Sequence, residues 1–562
     1  MNKIYLMGML LCLLSLTGKA QAPKWAEKAR RAVLFVATYD AEGKLLHTGN
    51  GFFVSEQGVA LSDFTLFDGA VRAEVVNADG QKMPVTSILG ADGMYDVVKF
   101  QVSLTGKKVQ ALSVAATQPV EGAVAYLLPY ATQKVTPLVG KVSGMDKVAE
   151  QYGYYTLELP LKAKMVSCPL LTENGEVFGL AQQSSGADTA SISYAIDARY
   201  ALDRTITPLS YNDRALKSIG IKKALPDSAE QALVYLYMAS TQLPADEYAV
   251  LLDDFIAQYP ENSDGYLRRA SARIYANPQD IAAVQADLDK ALSVSAQKEA
   301  IHYERAKLVY NHLLLHPDAS AWSWDTAIEE VDKAIAIQSL PVYVKLKGDI
   351  AFAKTDYPAA LTCYEEVNHS ELASPASLFS IVRTKQLMGA PQAEYLALMD
   401  SCVAMFTKPY TSEAAPYLQE RAQMRMDAGQ ARMAMLDYDA FFDAMKGEVG
   451  DLFYYRRGQA ALAGKQFQRA LDDMSKAIEL NPSELTYRAE LALVNLRIGR
   501  NEEAVKILQE ALRMDANYAE GYRLLGIAYL QMKQPAEACQ QFAKAKALGD
   551  TAVDSLIEKH CK

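Results

Sequence analysis

The sequence predicts a multidomain protein with an all-β N-terminal part and an all-α C-terminal part. Between residues 24 and 205, short runs of β-prone residues alternate with turn signals such as Glu173-Asn174-Gly175. From about residue 229 onward, apolar residues follow a helical period, and small residues recur at a long fixed spacing. Residues 206–228 separate the two patterns and are interpreted as a linker that is partly helical.

The first twenty residues have the features of a secretory signal peptide. Lys3 provides a basic start, residues 4–16 form an apolar run that is short for a membrane span, and small residues precede Gln21. We therefore expect residues 1–20 to be removed and the mature protein to be exported, into a bacterial periplasm or the medium. No later stretch of the sequence has the length and apolar content of a membrane span.

Length and charge narrow the classes of function. A chain of 562 residues exceeds the size of one hydrophobic core, so two or more domains are expected. Because the formal charge is −10, the protein would gain no free energy from counterion release on binding nucleic acid, which argues against nucleic-acid binding.

His312 and His316 have the spacing of one helix face but no third metal ligand, so they are interpreted as a surface helix end. We expect no metal and no cofactor.

Seven runs in the N-terminal part are predicted to be strands, at residues 33–38, 51–54, 71–76, 97–102, 124–128, 155–159 and 177–181. The Asn-Gly pair at 174–175 predicts a hairpin, because a type I′ turn needs positive φ at both of its central residues. Many short strands at regular spacing favour a closed or sandwiched β domain.

Small residues recur every 34 residues near the end of the chain, at Gly458, Ala470 and Ala477, then Ala492, Ala504 and Ala511, then Gly526, Ala538 and Ala545. This pattern resembles the tetratricopeptide repeat, in which small residues let the two helices of a unit cross closely. Looser units are predicted at 263–297, 300–338, 341–370, 375–409 and 414–447, with a capping helix at 551–562. The resemblance implies an α-solenoid over residues 229–562.

The same resemblance implies a groove, lined by the first helix of each unit, that binds a protein or peptide partner. The groove positions of the last three units include Tyr455, Gln459, Leu493, Leu496, Arg523 and Ile527. This lining is mixed, is aliphatic in its middle and has no dense Lys/Arg clamp, so we expect an apolar or helical partner segment. The alternative is that neighbouring helices bury part of the stripe.

Cys539 and Cys561 are predicted to form a disulfide. They lie on two helices that we expect to be antiparallel, each about ten residues, or roughly 15 Å, from the turn between them. This arrangement would place the two thiols side by side. Two buried thiols are the alternative, but an exported protein meets an oxidising compartment.

Four motifs of the β part occur in the order found in trypsin-fold proteases of the HtrA/Deg type. Residues 49–54 (GNGFFV) resemble the strand that leads to the catalytic histidine, and residues 94–100 (MYDVVKF) resemble the strand of the triad aspartate. Residues 169–180 resemble the segment after the nucleophile, and residues 193–197 (SYAID) the closing strand. The resemblance implies a trypsin-like double β-barrel over residues 24–205.

This resemblance places other residues where the family has its catalytic groups. Thr65 stands at the histidine, and Asp96 keeps the aspartate. Counting back from Pro169, Val166 takes the place of the serine, and Lys164 that of the glycine whose amide builds the oxyanion hole. A serine nucleophile needs a base within hydrogen-bond reach, and threonine is not one. The resemblance therefore implies a pseudoprotease.

Three functions stay open on the sequence. We expect a non-catalytic exported scaffold, in which the helical array recruits a protein partner in the cell envelope. The second possibility is an active peptidase with a rebuilt site that uses Ser167 or Cys168 as its nucleophile. The third is a periplasmic chaperone-like adaptor whose grooves hold unfolded chains.

Overall fold

The computed structural model describes residues 22–104, 106, 108–182, 192–318 and 321–561. The expected signal peptide, residues 1–20, lies outside the described residues. The chain forms two compact units, residues 1–295 and 296–562, and each unit is described by itself.

Strands of the N-terminal part form two closed antiparallel barrels. The first barrel contains β1 (Val33–Tyr39), β2 (Leu45–Phe53), β3 (Val59–Ser62), β4 (Arg72–Val76), β5 (Lys82–Asp92) and β6 (Val97–Val102). The second contains β7 (Val124–Leu127), β8 (Leu138–Val148), β9 (Tyr152–Glu158), β10 (Pro169–Leu171), β11 (Val177–Gln182) and β12 (Ile192–Asp197). Their orders are β1-β2-β3-β6-β5-β4 and β10-β11-β12-β9-β8-β7, so the predicted double barrel is confirmed.

The two longest strands, β5 and β8, are missing from the predicted set. Each runs for eleven residues and contains glycine, and β5 also contains Pro84. Register shifts interrupt the pairing of β5 with β6 and of β8 with β9. A bulge inserts an extra residue and breaks the alternation of apolar and polar side chains, so the usual pattern of a strand is absent from both segments.

The predicted hairpin between β10 and β11 is present, but its turn differs from the expected type I′. The Gly175 backbone N–H donates to the Thr172 carbonyl at 3.0 Å, and the pairing shifts between Leu170 and Leu171. Gly175 has a φ of +82°, whereas Asn174 does not have a positive φ. A single left-handed glycine at the last position of a four-residue turn is the geometry of a longer hairpin loop.

Three short helices flank the barrels: α1 (Ala26–Arg30), α2 (Ala198–Leu202) and α3 (Arg214–Ser218). The segment 206–228 is attached to β5, because the Ile88 backbone N–H donates to the Lys222 carbonyl and the Ala224 N–H donates to the Ile88 carbonyl. Its apolar residues join the core of the first barrel. The helices α4 (Ala229–Ser240) and α5 (Ala245–Gln258) extend that core through Leu236, Leu252 and Phe255.

Among the described residues, the remaining helices follow one another in eight consecutive pairs, with α22 as a single last helix. They are α6 (Ser263–Ala276), α7 (Ile281–Val294), α8 (Lys298–Leu315), α9 (Trp324–Ile337), α10 (Pro341–Ala353), α11 (Tyr357–Asn368), α12 (Pro375–Leu387), α13 (Gln392–Ala404), α14 (Ala415–Asp427), α15 (Ala431–Ala444), α16 (Asp451–Ala463), α17 (Phe467–Leu480), α18 (Leu485–Arg497), α19 (Asn501–Met514), α20 (Ala519–Gln531), α21 (Pro535–Ala547) and α22 (Asp554–His560). Each pair falls within a predicted repeat unit, except that α8 begins two residues before the predicted unit 300–338, and α22 falls within the predicted capping helix.

The small residues of the repeat lie where two helices meet. A Cβ added to Gly526 on α20 would approach the Phe542 ring on α21 to 2.4 Å, and one added to Gly458 would approach the Met474 side chain to 2.9 Å. The 34-residue recurrence therefore records close helix crossings. Within the described residues, no helix combines the length and the apolar character needed to cross a bilayer.

Candidate functional site

Thr65 and Asp96 are brought together at the end of the first barrel. Thr65 lies in a short 3-10 turn, Phe64–Leu66, that follows β3, and Asp96 directly precedes β6. The Thr65 backbone N–H donates to Asp96 Oδ1 at 2.7 Å, and its hydroxyl donates to the same oxygen at 2.9 Å. The carboxylate therefore has two donors from one residue.

The loop that resembles a nucleophile loop is held by its own backbone and by Asn50. The Val166 N–H donates to the Ala163 carbonyl at 3.3 Å within a 3-10 turn, Ala163–Met165. The carbonyls of Lys164 and Val166 each accept from Asn50 Nδ2 at 2.9 Å. Asn50 is 6% exposed, so it anchors the loop from inside. No motif in the sequence assigns this role to Asn50, although a polar side chain on an apolar strand is a signal for one.

Ser167 and Cys168 follow in the same loop and are buried. Ser167 is 1% exposed and has a φ of +62°, a left-handed conformation that favours glycine. Its N–H donates to the Ala181 carbonyl at 2.7 Å. Cys168 is 0% exposed, and burial raises the pKa of its thiol to about 12. A pKa of this size keeps the thiol protonated at neutral pH.

Asp63 is a titratable group of this region that the sequence reasoning did not identify. It is buried, and the Ser62 hydroxyl donates to its Oδ1 at 3.1 Å. Burial raises the pKa of Asp63 to about 6, a hydrogen bond from Ser167 lowers it, and the charge of Asp96 raises it again. Asp63 therefore changes charge close to neutral pH. The position of Asp63 next to Ser62 was only a weak signal of a perturbed titratable group, because the sequence does not show that Asp63 is buried.

His47 is exposed on β2, opposite Thr38 on β1. Its backbone N–H donates to the Thr38 hydroxyl at 3.2 Å. It is the single histidine in the sequence of residues 1–295.

In the second unit, Tyr455, Gln459, Glu490 and Leu493 define a surface that we call the repeat groove. Gln459 Nε2 donates to the Tyr455 hydroxyl at 2.8 Å and to Glu490 Oε1 at 3.2 Å. Gln459, Glu490 and Leu493 line a cavity of about 490 Å³ between α16 and α18. The structure therefore brings three of the predicted groove residues together.

Comparison with known families agrees with this architecture. Residues 49–180 match the model described as a trypsin-like peptidase domain, and residues 455–519 and 489–553 match the tetratricopeptide repeat. The chain carries a trypsin-like peptidase domain followed by tetratricopeptide repeats. The first match runs from β2 to β11 and so includes strands of both barrels. The second begins in α16 and ends at the turn before α22.

Three curated relatives are similar to a segment of the chain. Small glutamine-rich tetratricopeptide repeat-containing protein 2 of Saccharomyces cerevisiae is 29% identical over 101 residues, 18% of this chain and 29% of that protein. DnaJ homolog subfamily C member 7 of Mus musculus is 27% identical over 95 residues, 17% of this chain and 19% of that protein. TPR repeat-containing thioredoxin TDX of Arabidopsis thaliana is 26% identical over 104 residues, 18% of this chain and 27% of that protein. The chain spans less than a third of each relative.

Glu490 is the charged centre of the repeat groove. Burial raises the pKa of its carboxyl, a hydrogen bond from Gln459 lowers it, and the charge of Glu520 raises it. The preceding residue on α18, Ala489, is buried, so Glu490 and not Ala489 reaches the cavity. Lys465 and Arg497 also line the cavity, and neither has an ion pair in the part of the chain that the structure describes.

Leu496 differs from the expected open groove position, whereas Arg523 and Ile527 are half-buried and make contacts within the repeats. Leu496 is 4% exposed and packs in the apolar core between α18, α19 and α20, so its side chain is not open to a partner. The Arg523 guanidinium pairs with Asp550 at 2.8 Å and with Glu520 at 2.7 Å. Ile527 is half-buried against the same core. Neighbouring helices therefore bury Leu496.

Cys539 on α21 and Cys561 after α22 are joined by a disulfide, and Cys168, Cys363 and Cys402 are free and buried. His312 is also buried, next to the rings of His316 and Trp322, so it is not the surface helix end expected from the sequence. Burial lowers the pKa of His312. Among the described residues, no group of three or more His, Cys, Asp or Glu side chains could hold a metal ion.

Proposed function

We propose that this protein is a non-catalytic exported scaffold whose repeat groove binds a segment of a protein partner in the cell envelope. The hydrogen bonding of Asp96 by Thr65 is the observation that carries the non-catalytic part. In a triad the aspartate orients an imidazole, which then takes the proton of the nucleophile. The threonine side chain has no nitrogen that could accept that proton. Here Thr65 instead donates two hydrogen bonds to the carboxylate of Asp96.

The backbone of the loop 163–168 supports the same proposal. An oxyanion hole requires N–H groups that point at the developing negative charge. The Val166 N–H is used within its own 3-10 turn, and the Asn50 amide holds two carbonyls of the loop. A loop fixed in this way does not present the amide of Val166 to a substrate.

The alternative of a peptidase with a rebuilt site is less well supported. Ser167 and Cys168 are both buried, and the raised pKa of Cys168 disfavours the thiolate that would attack. The positive φ of Ser167 suits the glycine that follows the serine in the family motif. That geometry supports the alignment of Val166 with the serine.

A direct test uses the protein without its first twenty residues. We expect no hydrolysis of casein and no labelling by a fluorophosphonate probe. Iodoacetamide should leave Cys168 unmodified in the native protein and modify it after unfolding in urea. Hydrolysis that is abolished by Ser167→Ala or Cys168→Ala would establish the peptidase and exclude the inert scaffold.

The shape and polarity of the repeat groove support binding of a partner segment. Its cavity combines the aliphatic Leu493 with the amide of Gln459 and the carboxyl of Glu490. Pockets that bind a ligand are mostly apolar and have a few placed polar groups that fix its orientation. Two of the three curated relatives are named for tetratricopeptide repeats, the same modules that carry this groove.

The groove is tested by affinity capture from an envelope extract, with Leu493→Glu as the disruptive change. The matched control is Gln468→Ala on α17, an exposed glutamine whose side chain bonds, among the described residues, only its helix neighbour Asp472. We expect one stoichiometric partner that Gln468→Ala retains and Leu493→Glu loses. Capture of many unrelated unfolded chains by the parent would favour the chaperone-like adaptor. Equal capture by both variants would contradict the groove.

Export is tested separately by cell fractionation. We expect the mature protein in the periplasm or the medium, with Gln21 as its first residue. Retention of the full-length chain in the cytoplasm would contradict this part of the proposal.

A further inference from the structure

A second cavity lies in the first unit, where the segment 206–228 meets α4 and α5. Its volume is about 400 Å³, within the range of small-molecule sites. One side is formed by Lys222 and Lys223, which are part of the segment bonded to β5. We call this cavity the lysine pocket and define it by Tyr211, Leu216, Lys223, Tyr235 and Leu251.

The body of the lysine pocket is apolar and aromatic. Leu216 and Leu251 line it together with Tyr211 and Tyr235, whose rings meet edge to face with centroids 5.2 Å apart. Tyr235 is 7% exposed, and its hydroxyl has no hydrogen bond to any described residue. The hydroxyl reaches the surface of the pocket, so this donor is available to a molecule there.

Lys223 is a partly buried cation without an anionic partner. Its Nζ donates to the Ile219 carbonyl, and among the described residues no carboxylate lies within ion-pair distance of it. Its neighbour Lys222, by contrast, pairs with Asp254 at 2.6 Å. Burial lowers the pKa of Lys223, as expected for an ammonium group taken from water without a counter-ion.

The other charged groups of the pocket do not neutralise Lys223. Asp254 is used by Lys222, and Lys217 donates to the Asn212 side chain at 3.1 Å. Glu247 also lines the cavity but is exposed. Among the described residues, the cavity therefore offers apolar walls, one free hydroxyl and two lysines without a carboxylate partner, the exposed Lys217 and the half-buried Lys223.

We propose that the lysine pocket binds a small monocarboxylate with an apolar chain or ring. The carboxylate accepts hydrogen bonds from Lys223 Nζ and the Tyr235 hydroxyl, and the apolar body packs against Tyr211, Leu216 and Leu251. A hydrogen bond between charged groups contributes more than a neutral one, and the apolar body contributes by leaving water. This site is independent of the proposed scaffold function.

Isothermal titration of the full mature protein with octanoate tests the proposal. Octanol supplies the same chain without charge, and acetate supplies the charge without the chain. We expect octanoate to bind at least about tenfold more tightly than either, since both contacts are needed. No heat of binding from octanoate at millimolar concentration, or equal affinity for octanol, would overturn the proposal.

Variants identify the cation that binds. Lys223→Met should weaken octanoate binding at least about tenfold and leave octanol binding unchanged, whereas Lys223→Arg should keep octanoate affinity within about threefold. Lys44→Met, in the exposed β1–β2 turn, is the matched control. Thermal unfolding of each variant shows that the fold persists. Octanoate binding by Lys223→Met at the parent affinity, in a folded protein, would also overturn the proposal.

Discussion

Thr65 gives both of its hydrogen-bond donors to one carboxylate oxygen of Asp96, at 2.7 Å from the backbone nitrogen and at 2.9 Å from the hydroxyl. Asp96 has a φ of +49°, which L-residues rarely adopt. The contact therefore stabilises an unusual backbone conformation where the turn after β3 meets the start of β6. A carboxylate satisfied in this way has a structural role without an imidazole.

Thr65→Val should lower the free energy of unfolding of the first unit by about 1 kcal/mol, because it removes the hydroxyl donor and keeps the shape. Because the Thr65 side chain is exposed to water, we expect the loss of free energy of unfolding to stay at about this size. The loss should nearly disappear in an Asp96→Ala background. Urea denaturation followed by Trp25 fluorescence, with Trp322 and Trp324 changed to Phe, measures it, since Trp25 contacts Glu173 and Tyr126.

Thr48→Val is the control for this prediction, because that exposed strand threonine has no side-chain hydrogen bond to any described residue. Its effect should stay within about 0.5 kcal/mol. An undiminished effect of Thr65→Val in the Asp96→Ala background would mean that the hydroxyl acts through another group.

Asp63 should make the stability of the first unit fall as pH rises. Its folded pKa of about 6 is above the ordinary 3.8, so its contribution is fully present below pH 4 and is lost as pH rises through 6. The shift corresponds to about 3 kcal/mol. Asp63→Asn removes this titration, so the variant should gain stability relative to the parent between pH 4 and pH 7.

The same Trp25 unfolding experiment, repeated across this pH range, measures the difference between variant and parent. Asp79→Asn, in the exposed β4–β5 turn, is the matched control and should show no such trend. A constant difference between Asp63→Asn and the parent would show that Asp63 does not titrate in this window.

Asn50→Ala should release the loop 163–168, because it leaves the carbonyls of Lys164 and Val166 without their donor. A loss of about 2 kcal/mol is expected for two unsatisfied acceptors. Asn50→Asp should cost more, since a carboxylate would face two carbonyl oxygens.

Limited digestion with trypsin reads out the same loop, because trypsin cleaves after Lys162 and Lys164. Cleavage there should be fastest in Asn50→Asp, slower in Asn50→Ala and slowest in the parent. If Asn50→Ala is cut no faster than the parent, the amide does not hold the loop.

Local patterns in the sequence predicted much of the fold. The strand β6 has four apolar residues among its six, and its predicted bounds match the structure. The small residues at Gly458 and Gly526 marked helix crossings because a larger side chain there would collide with Met474 or Phe542. Such signals depend on residues close in the chain or on a repeated spacing.

The candidate sites depended on contacts that no local pattern reports. The two acceptors of Asn50 lie 114 and 116 residues further along the chain. The pKa of Asp63 depends on burial by the barrel and on Ser167. In the repeats, the rotation of α18 decides that Glu490 and not Ala489 reaches the groove, and that Leu496 is buried. The periodic spacing of small and apolar residues in the sequence does not determine how α18 is rotated about its own axis.

Removal of the disulfide should loosen the last helix selectively. Cys539 and Cys561 are 22 residues apart in the chain, and closing a loop of that length contributes about 3 kcal/mol in the chain-entropy model. In the Cys539→Ser/Cys561→Ser variant, amide hydrogen exchange in α22 should accelerate by about a hundredfold, while exchange in α16 to α19 stays unchanged. Dithiothreitol should reproduce the effect in the parent and add nothing in the variant. Unchanged exchange in α22 would mean that packing of Val553 against Phe542 and Ala545 holds the cap without the cross-link.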